Sequence, residues 1–238
     1  MNVSRLENEY LSVNQRTLHI WREHPGIGDI RKERYYDPVK LALATGIQPS
    51  VPDLVTGLLR ELHLLMAGDR LADILPLSSF HFTFLPLTLP LYAENEALPA
   101  KTEQLTTIWS EYQAKLIVIK QLRLVALPSQ LLLAGIPDDP AIALRQSFCE
   151  SILHSQWKDE LLARHAGSSL PAPFWHSTLL RYDAACLPAE LRELFIRHQA
   201  TRFGNVAADL TLARVNYNWE KCYPVKEFSS KNSFKLSE

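Results

Sequence analysis

The sequence has few cysteines and no long apolar run. Only Cys149, Cys186 and Cys222 occur among 238 residues, and none belongs to a C-x-x-C pair. This pattern argues against a disulfide framework or a zinc site and is typical of a reducing compartment. No apolar stretch approaches the roughly 20 residues that span a bilayer, and the first residues lack the pattern of a secretion signal. We therefore expect a cytoplasmic protein without a membrane partner.

An excess of charge is also missing. The chain has 25 basic and 26 acidic residues and a formal net charge of −1. Proteins that bind long duplex nucleic acid usually carry a basic excess, so we expect no duplex DNA partner. A small anionic ligand, or a single-strand end held by a few local cations, remains compatible with this balance.

Several signatures of large enzyme classes do not occur. The sequence contains no G-x-x-x-x-G-K-[ST], G-x-G-x-x-G or G-x-S-x-G, which excludes P-loop, dinucleotide-binding and nucleophile-elbow interpretations. Apart from His81 and His176, the histidines show no metal-ligand spacing, and we expect His165 and His198 to be solvated. The sequence predicts no metal and no cofactor.

Apolar periodicity predicts helices that alternate with strands. The predicted helices are Leu6–Arg22, Pro52–Met66, Lys101–Lys115, Ala141–Leu162 and Pro188–Arg202. The predicted strands are Val39–Ala44, Phe80–Leu91, Leu116–Leu127, Gln130–Ala134, Phe174–Tyr182 and Asp209–Asn218. This order indicates α/β or α+β layers in which helices cover the outer sheet faces. We assign no chemistry to residues 1–38, which form an N-terminal extension to a single domain over residues 39–238.

Two His-x-Thr elements, 95 residues apart, lie in predicted apolar strands. Because strand side chains alternate between faces, His81 shares a face with Thr83, and His176 shares one with Thr178. A single histidine in an apolar strand is more often a hydrogen-bonded core residue than a catalytic one. Only these two of the eight histidines have a threonine two positions later, and the pair favours a functional interpretation.

Two imidazoles and two hydroxyls suit the cleavage of a phosphodiester. Histidine accepts and donates protons near neutrality. One ring can therefore deprotonate the attacking oxygen while the other protonates the departing oxygen. The threonine hydroxyls can bind non-bridging phosphate oxygens. The sequence does not assign base and acid between the two rings, and it predicts a bell-shaped rate profile around neutrality that is insensitive to chelators.

The two elements His81-Phe82-Thr83-Phe84 and His176-Ser177-Thr178-Leu179 resemble the paired signature of the 2H phosphoesterase superfamily. That superfamily includes RNA 2′,3′-cyclic phosphodiesterases, also called 2′-5′ RNA ligases. The resemblance covers roughly residues 39–225. It implies an α+β, bilobal, RNA ligase-like fold, in which two antiparallel-rich sheets face a central cleft and each lobe contributes one motif.

The resemblance also suggests residues that bind the substrate. Arg181 matches the second motif and can bind phosphate, but strict alternation directs it away from His176 unless a bulge intervenes; a surface cation is the other interpretation. Phe174 and Tyr182 lie on the His176 face and can stack on a base, or serve only in packing. The aromatic residues near the end of the chain line the cleft or belong to the core; these are Tyr217, Trp219 and Tyr223.

Two features depart from the family pattern. Ser177 is polar on a face that should be buried. Pro86 and Pro90 follow the first motif, so strand pairing there should end early or lie at a sheet edge.

The sequence thus predicts a monomeric, metal-independent phosphodiesterase that acts on a nucleotide or an RNA end. The alternatives are a module that binds the same ligands without turnover, and a purely structural scaffold.

Overall fold

The computed structural model describes residues 3–33 and 36–225, and for Val3 and Ser4 it describes the backbone only. Its helices are α1 (Val3–Glu23), α2 (Asp53–Leu65), α3 (Thr102–Trp109), α4 (Asp139–Leu153), α5 (Lys158–Arg164) and α6 (Ala189–His198). Its strands are β1 (Ala42–Ile47), β2 (Ala72–Ile74), β3 (Phe82–Pro86), β4 (Leu116–Leu127), β5 (Gln130–Pro137), β6 (His176–Tyr182), β7 (Val206–Asp209), β8 (Thr211–Val215) and β9 (Cys222–Pro224). Within these described residues, no helix is both long and apolar enough to cross a membrane.

The strands form two antiparallel sheets. One sheet has the strand order β3-β1-β8-β9 and the other has the order β2-β6-β5-β4-β7. The first motif enters β3 and the second begins β6, so each sheet carries one His-x-Thr element. The two motif strands also contact each other, and one hydrophobic cluster extends through both sheets. The predicted α+β class, with two antiparallel sheets that each contribute a motif to a shared cleft, is confirmed.

The two halves of the sequence exchange strands. The short strand β2 precedes the first motif, yet it pairs with β6 of the other sheet. Conversely, β8 follows the second motif and pairs with β1 beside the first. Each lobe is therefore completed by residues from the opposite half of the sequence, so neither half contains all the strands of its own sheet.

The structure shortens the first motif strand as the prolines predict. The predicted strand Phe80–Leu91 is reduced to β3, which ends at Pro86 and occupies an edge of its sheet. Proline cannot donate a ladder hydrogen bond, so it is confined to such positions. His81 lies one residue before the strand begins, and it keeps its place through a hydrogen bond described below.

The predicted helix Ala141–Leu162 is divided into α4 and α5. Asp138 caps the start of α4, where its carboxylate accepts the Ala141 N–H at 3.0 Å. After α4, the Ser155 hydroxyl donates to the Ile152 carbonyl and accepts from the Trp157 N–H. A serine that bonds to neighbouring backbone groups in this way competes with helical hydrogen bonding, and the helix ends there.

The predicted strand Asp209–Asn218 corresponds to β8, and its first residue, Asp209, is the last residue of β7, a separate strand in the other sheet. The residue between them, Leu210, is buried, and its N–H donates to the Lys115 carbonyl. The chain therefore crosses from one sheet to the other at this point. The sequence pattern therefore missed β7, which precedes the predicted strand.

The N-terminal segment packs on the five-stranded sheet. From α1, the Tyr10 hydroxyl donates to the Gly135 carbonyl at 2.9 Å and the Thr17 hydroxyl donates to the Ala126 carbonyl at 2.7 Å. Trp21 adds a third bond, from its indole N–H to the Pro128 carbonyl. Because Tyr10 and Trp21 also belong to the hydrophobic core, α1 contributes to the same folded unit as the sheets.

Candidate active site

A cavity of about 310 Å³ lies between the two sheets and contains both motifs. This volume is at the lower end of the range for small-molecule sites. Its lining includes His81 and Thr83 from the first lobe, and His176, Thr178 and Arg181 from the second. The polypeptide thus brings the two predicted catalytic pairs from separate sheets to one space.

A bulge follows the threonine of each motif. In β3, Thr83 pairs with Gly46 and Leu85 pairs with Thr45, so Phe84 is the additional residue. In β6, Thr178 pairs with Leu132 and Leu180 pairs with Leu131, so Leu179 is the additional residue. The two lobes therefore bend their motif strands at the same place relative to the histidine.

The bulge explains the orientation of Arg181. An extra residue reverses the alternation of faces beyond it, so the residue five positions after each histidine returns to the cavity. That residue is Arg181 in β6 and Pro86 in β3, and both line the cavity. The bulge that Arg181 needs in order to face a bound phosphate is therefore present.

The same bulge removes Tyr182 from the site. Tyr182 is buried, and its hydroxyl donates to the Asp69 carboxylate at 2.9 Å. The prediction that Tyr182 shares the His176 face is wrong, because the extra residue Leu179 shifts the alternation. Phe174 precedes the bulge and does line the cavity. Ser177 is fully buried, as its position predicted, and its hydroxyl has no partner among the described residues.

His81 is held by a backbone carbonyl and an aromatic ring. Its Nδ1 lies 2.8 Å from the Ser79 carbonyl oxygen. A carbonyl only accepts, so Nδ1 carries the proton and the neutral ring keeps a lone pair on Nε2. Trp219 stacks on the imidazole with ring centroids 5.2 Å apart. Burial, followed by the nearby Arg181 and His176, lowers the pKa of His81 to about 3.

His176 has no such anchor. Its Nδ1 is buried and has no hydrogen-bond partner among the described residues. A buried N–H without an acceptor is rarer in proteins than a buried acceptor without a donor, so the neutral ring favours the proton on Nε2. Burial, followed by Arg181 and Arg145, lowers the pKa of His176 to about 4.

Arg181 lies between the histidines and an aromatic pair. Its guanidinium is within 5.4 Å of the Tyr36 ring centroid and 5.1 Å of the Tyr217 ring centroid, and these two rings stack on each other. Its distance to the Asp73 carboxylate is 3.9 Å. The sequence assigned no chemistry to residues 1–38, yet Tyr36 from this segment lines one end of the cavity.

The sequence pattern also missed the other cations of the cavity. Arg145 from α4 and Arg164 from α5 line the cavity together with His165 and Ser168. Within the described part of the chain, three arginines and three histidines line this cavity and no carboxylate does. His165 is buried, and its Nε2 donates to the Pro86 carbonyl, so the prediction that it is solvated is wrong. A net-neutral chain thus contains a strongly cationic cavity.

Of the aromatic residues near the chain end, Tyr217 and Trp219 line the cavity. Tyr223 is 38% exposed and its hydroxyl donates to the Glu94 carboxylate. Among residues 3–33 and 36–225, no group of three or more histidine, cysteine, aspartate or glutamate side chains is placed to hold a metal ion.

Gly46 allows Trp219 to approach the first motif. A Cβ atom on Gly46 would lie 2.6 Å from Cη2 of Trp219 and 2.7 Å from the Phe82 carbonyl oxygen. Real Cβ atoms do not approach this closely, so the indole would have to move. Since that indole stacks on His81, any side chain at position 46 displaces a wall of the site.

We expect Gly46→Ala to destabilise the protein by about 1–3 kcal/mol, because overpacking a filled core has this cost. The melting temperature should fall by roughly 2–10 °C for a chain of this size, and ligand affinity should fall with it. Gly57→Ala on α2 is the matched control, since nothing lies within 4 Å of its added Cβ. Equal melting temperatures for the two variants would contradict this account of Gly46.

No family model and no curated protein matches this sequence. Solved structures do. They include Escherichia coli LigT complexed with NADP⁺, at 12% identity over 79% of this chain and 96% of that one, with a TM-score of 0.47. A structure described as a phosphoesterase matches at 14% identity over 78% and 96% of the two chains, with a TM-score of 0.47. TT0787 of Thermus thermophilus matches at 16% identity over 73% and 87%, with a TM-score of 0.46.

Both histidines, both threonines and Arg181 line the cavity between the sheets, although they are scattered across the sequence.

Proposed function

We propose that this protein is a 2H phosphoesterase that hydrolyses a phosphodiester in a nucleotide or at an RNA end, with a 2′,3′-cyclic phosphate as the preferred linkage. One observation carries the proposal. Two His-x-Thr elements from different sheets line the same cavity, with Arg181 beside both histidines. Metal-independent acid–base catalysis requires two proton-transfer groups around one phosphorus, and this cavity provides them.

His81 acts as the general base in hydrolysis. The Ser79 carbonyl fixes the proton on Nδ1, which leaves the lone pair of Nε2 for the attacking water. As the water oxygen forms its bond to phosphorus, its proton passes to Nε2. Because the pKa of His81 is lowered to about 3 by burial, this ring is already neutral at physiological pH and needs no prior deprotonation.

His176 acts as the general acid. The acid is the imidazolium form, which gives up the proton on Nε2 and becomes the neutral ring. When the bond from phosphorus to that oxygen breaks, the oxygen takes the proton and a phosphomonoester and a free hydroxyl result. An anionic phosphate beside His176 favours the imidazolium form, so substrate binding itself promotes the protonation that burial opposes.

Thr83, Thr178 and Arg181 bind the non-bridging phosphate oxygens. The hydroxyls lie two residues from each histidine on the same face, and the guanidinium returns to that face after the bulge. Donors that are fixed before the reaction stabilise the charge that develops on these oxygens. Phe174 and the Tyr36–Tyr217 pair provide aromatic surface for a nucleobase at the edge of the cavity.

The test is turnover of nucleoside 2′,3′-cyclic phosphates, with linear phosphodiesters and a p-nitrophenyl diester for comparison, in excess EDTA. We expect conversion of at least one cyclic phosphate to a monoester, with a rate that EDTA leaves unchanged. Thermal-shift binding of the same compounds is measured in parallel. Binding without any product would favour the alternative of a non-catalytic nucleotide or RNA-end binding module. Absence of both would refute each.

A further inference from the structure

Two of the three arginines that line the cavity, Arg145 and Arg164, come from α4 and α5 and not from a motif strand. Arg181 contributes to the lowered pKa of both His81 and His176. Arg145 contributes to the lowered pKa of His176 and His165 but not to that of His81. Arg181 belongs to the second motif strand itself, whereas Arg145 reaches the cavity from α4 and contacts the residues that precede His176.

Arg145 is a buried cation that lacks an acidic partner. It is only 5% exposed, and its guanidinium lies 3.9 Å from the Trp175 ring centroid. Its hydrogen bonds to the carbonyls of Phe174 and Pro173 are long, at 3.4 and 3.5 Å, beyond the 2.7–3.2 Å typical of such bonds. A buried guanidinium is normally paired with an anion, and no described carboxylate pairs with this one.

Arg164 adds a second cation to the same cavity. It is half-buried, belongs to the last turn of α5 and lines the cavity with Arg145. It too makes no salt bridge with any carboxylate in the described ranges. Both guanidinium groups therefore reach the same cavity without a carboxylate to neutralise them, which favours an anion there.

We propose that Arg145 and Arg164 form a second anion subsite, which binds a further phosphate of the substrate beside the scissile phosphodiester. This inference rests on the proposed function and narrows its substrate class to nucleotides with at least two phosphate groups. Guanidinium groups bind phosphate oxygens through paired hydrogen bonds. The guanidinium of Arg145 is held in place by the Trp175 ring. The additional phosphate is either a terminal 5′-phosphate or the next phosphodiester of an RNA end.

The test measures binding by calorimetry and does not depend on catalysis. The ligands are adenosine 3′-phosphate, adenosine 3′,5′-bisphosphate and a diadenosine dinucleotide that ends in a 3′-phosphate. The first two ligands contain no phosphodiester, and chromatography after each titration verifies that the dinucleotide, which contains one, remains intact. We expect the protein to bind at least one of the two-phosphate ligands about ten- to a hundredfold more tightly than the monophosphate. Which of the two binds more tightly identifies the source of the second phosphate.

Arg164→Ala should reduce this preference to about threefold or less, while the affinity for the monophosphate changes little. Arg145→Lys keeps the charge but loses the planar fork, so it should reduce the preference in part; thermal melting verifies that it folds. Arg60→Ala, an exposed arginine on α2, controls for the loss of one charge and should keep the full preference.

Equal affinity for all three ligands, failure to bind any of them, or a preference that survives both Arg164→Ala and Arg145→Lys would overturn the subsite. If the protein lacks the proposed phosphodiesterase activity, these affinities can still be measured, so the two failures are distinguishable. Turnover of cyclic phosphates without any preference for a second phosphate would instead retain the proposed function and reject the subsite.

Discussion

His81→Ala and His176→Ala should each reduce kcat on a 2′,3′-cyclic phosphate by about 10²–10⁴-fold, because each removes one of the two proton transfers. The effects should not multiply. Once either ring is lost, the remaining ring completes only half of the exchange, so the double variant should resemble the slower single one. Single-turnover kinetics with saturating protein measures these values without interference from substrate affinity.

The matched control is His154→Ala. This histidine is exposed at the end of α4 and lies outside the cavity, so its removal should leave kcat within about twofold of the parent value. Circular dichroism and melting curves must show that the two motif variants remain folded. If a folded His81→Ala or His176→Ala protein keeps full activity, two-histidine catalysis is refuted.

Between pH 8 and pH 5, we expect kcat/KM to rise about tenfold for each unit by which the pH falls, roughly a thousandfold in total. The pKa values of His81 and His176 are lowered by burial to about 3 and about 4, so both rings are neutral across this range. The active form needs one ring protonated, and its fraction grows tenfold per unit as the pH falls. The sequence predicts a bell around neutrality because an ordinary histidine has a pKa near 6.5.

The dependence of kcat should be flatter than that of kcat/KM. In the complex, the bound phosphate raises the pKa of the imidazolium, so the alkaline limb moves upward. The stability of the fold limits how far the pH can be lowered in this measurement. Both pKa values are lower in the folded than in the unfolded chain, so the unfolded chain binds more protons below about pH 6.5 and the free energy of unfolding falls as the pH falls toward 4. A kcat/KM profile that is flat, or centred at pH 6.5, would contradict this prediction.

Local sequence patterns predicted the elements and the motif residues but not the way in which strands are shared. The three-residue strand β2 has no visible periodicity, and only its pairing with β6 makes it a strand. The strand β7 was missed for a related reason, since only its pairing with β4 makes it a strand. Such features depend on contacts between residues far apart in the chain, and a local pattern does not contain them.

The site residues divide in the same way into those that a local pattern predicts and those that depend on distant contacts. His81, Thr83, His176 and Thr178 could be selected because they form a repeated pattern. Arg181 faces the cavity only because a bulge precedes it. The extra residue of that bulge is Leu179, and the register of β6 against β5 sets its place. Arg145 and Arg164 had no visible signal, because cations on a helix normally face solvent. Only the packing of α4 and α5 turns these two toward the cavity.

The exchange of strands between lobes has a consequence for synthesis on the ribosome. β1 emerges early, but β8, its neighbour in the sheet, is about 170 residues further along the chain and emerges late. Until then, one side of β1 presents unpaired backbone groups, which favours aggregation of nascent chains. The lobe that holds the first histidine is therefore completed last, although its motif is translated first.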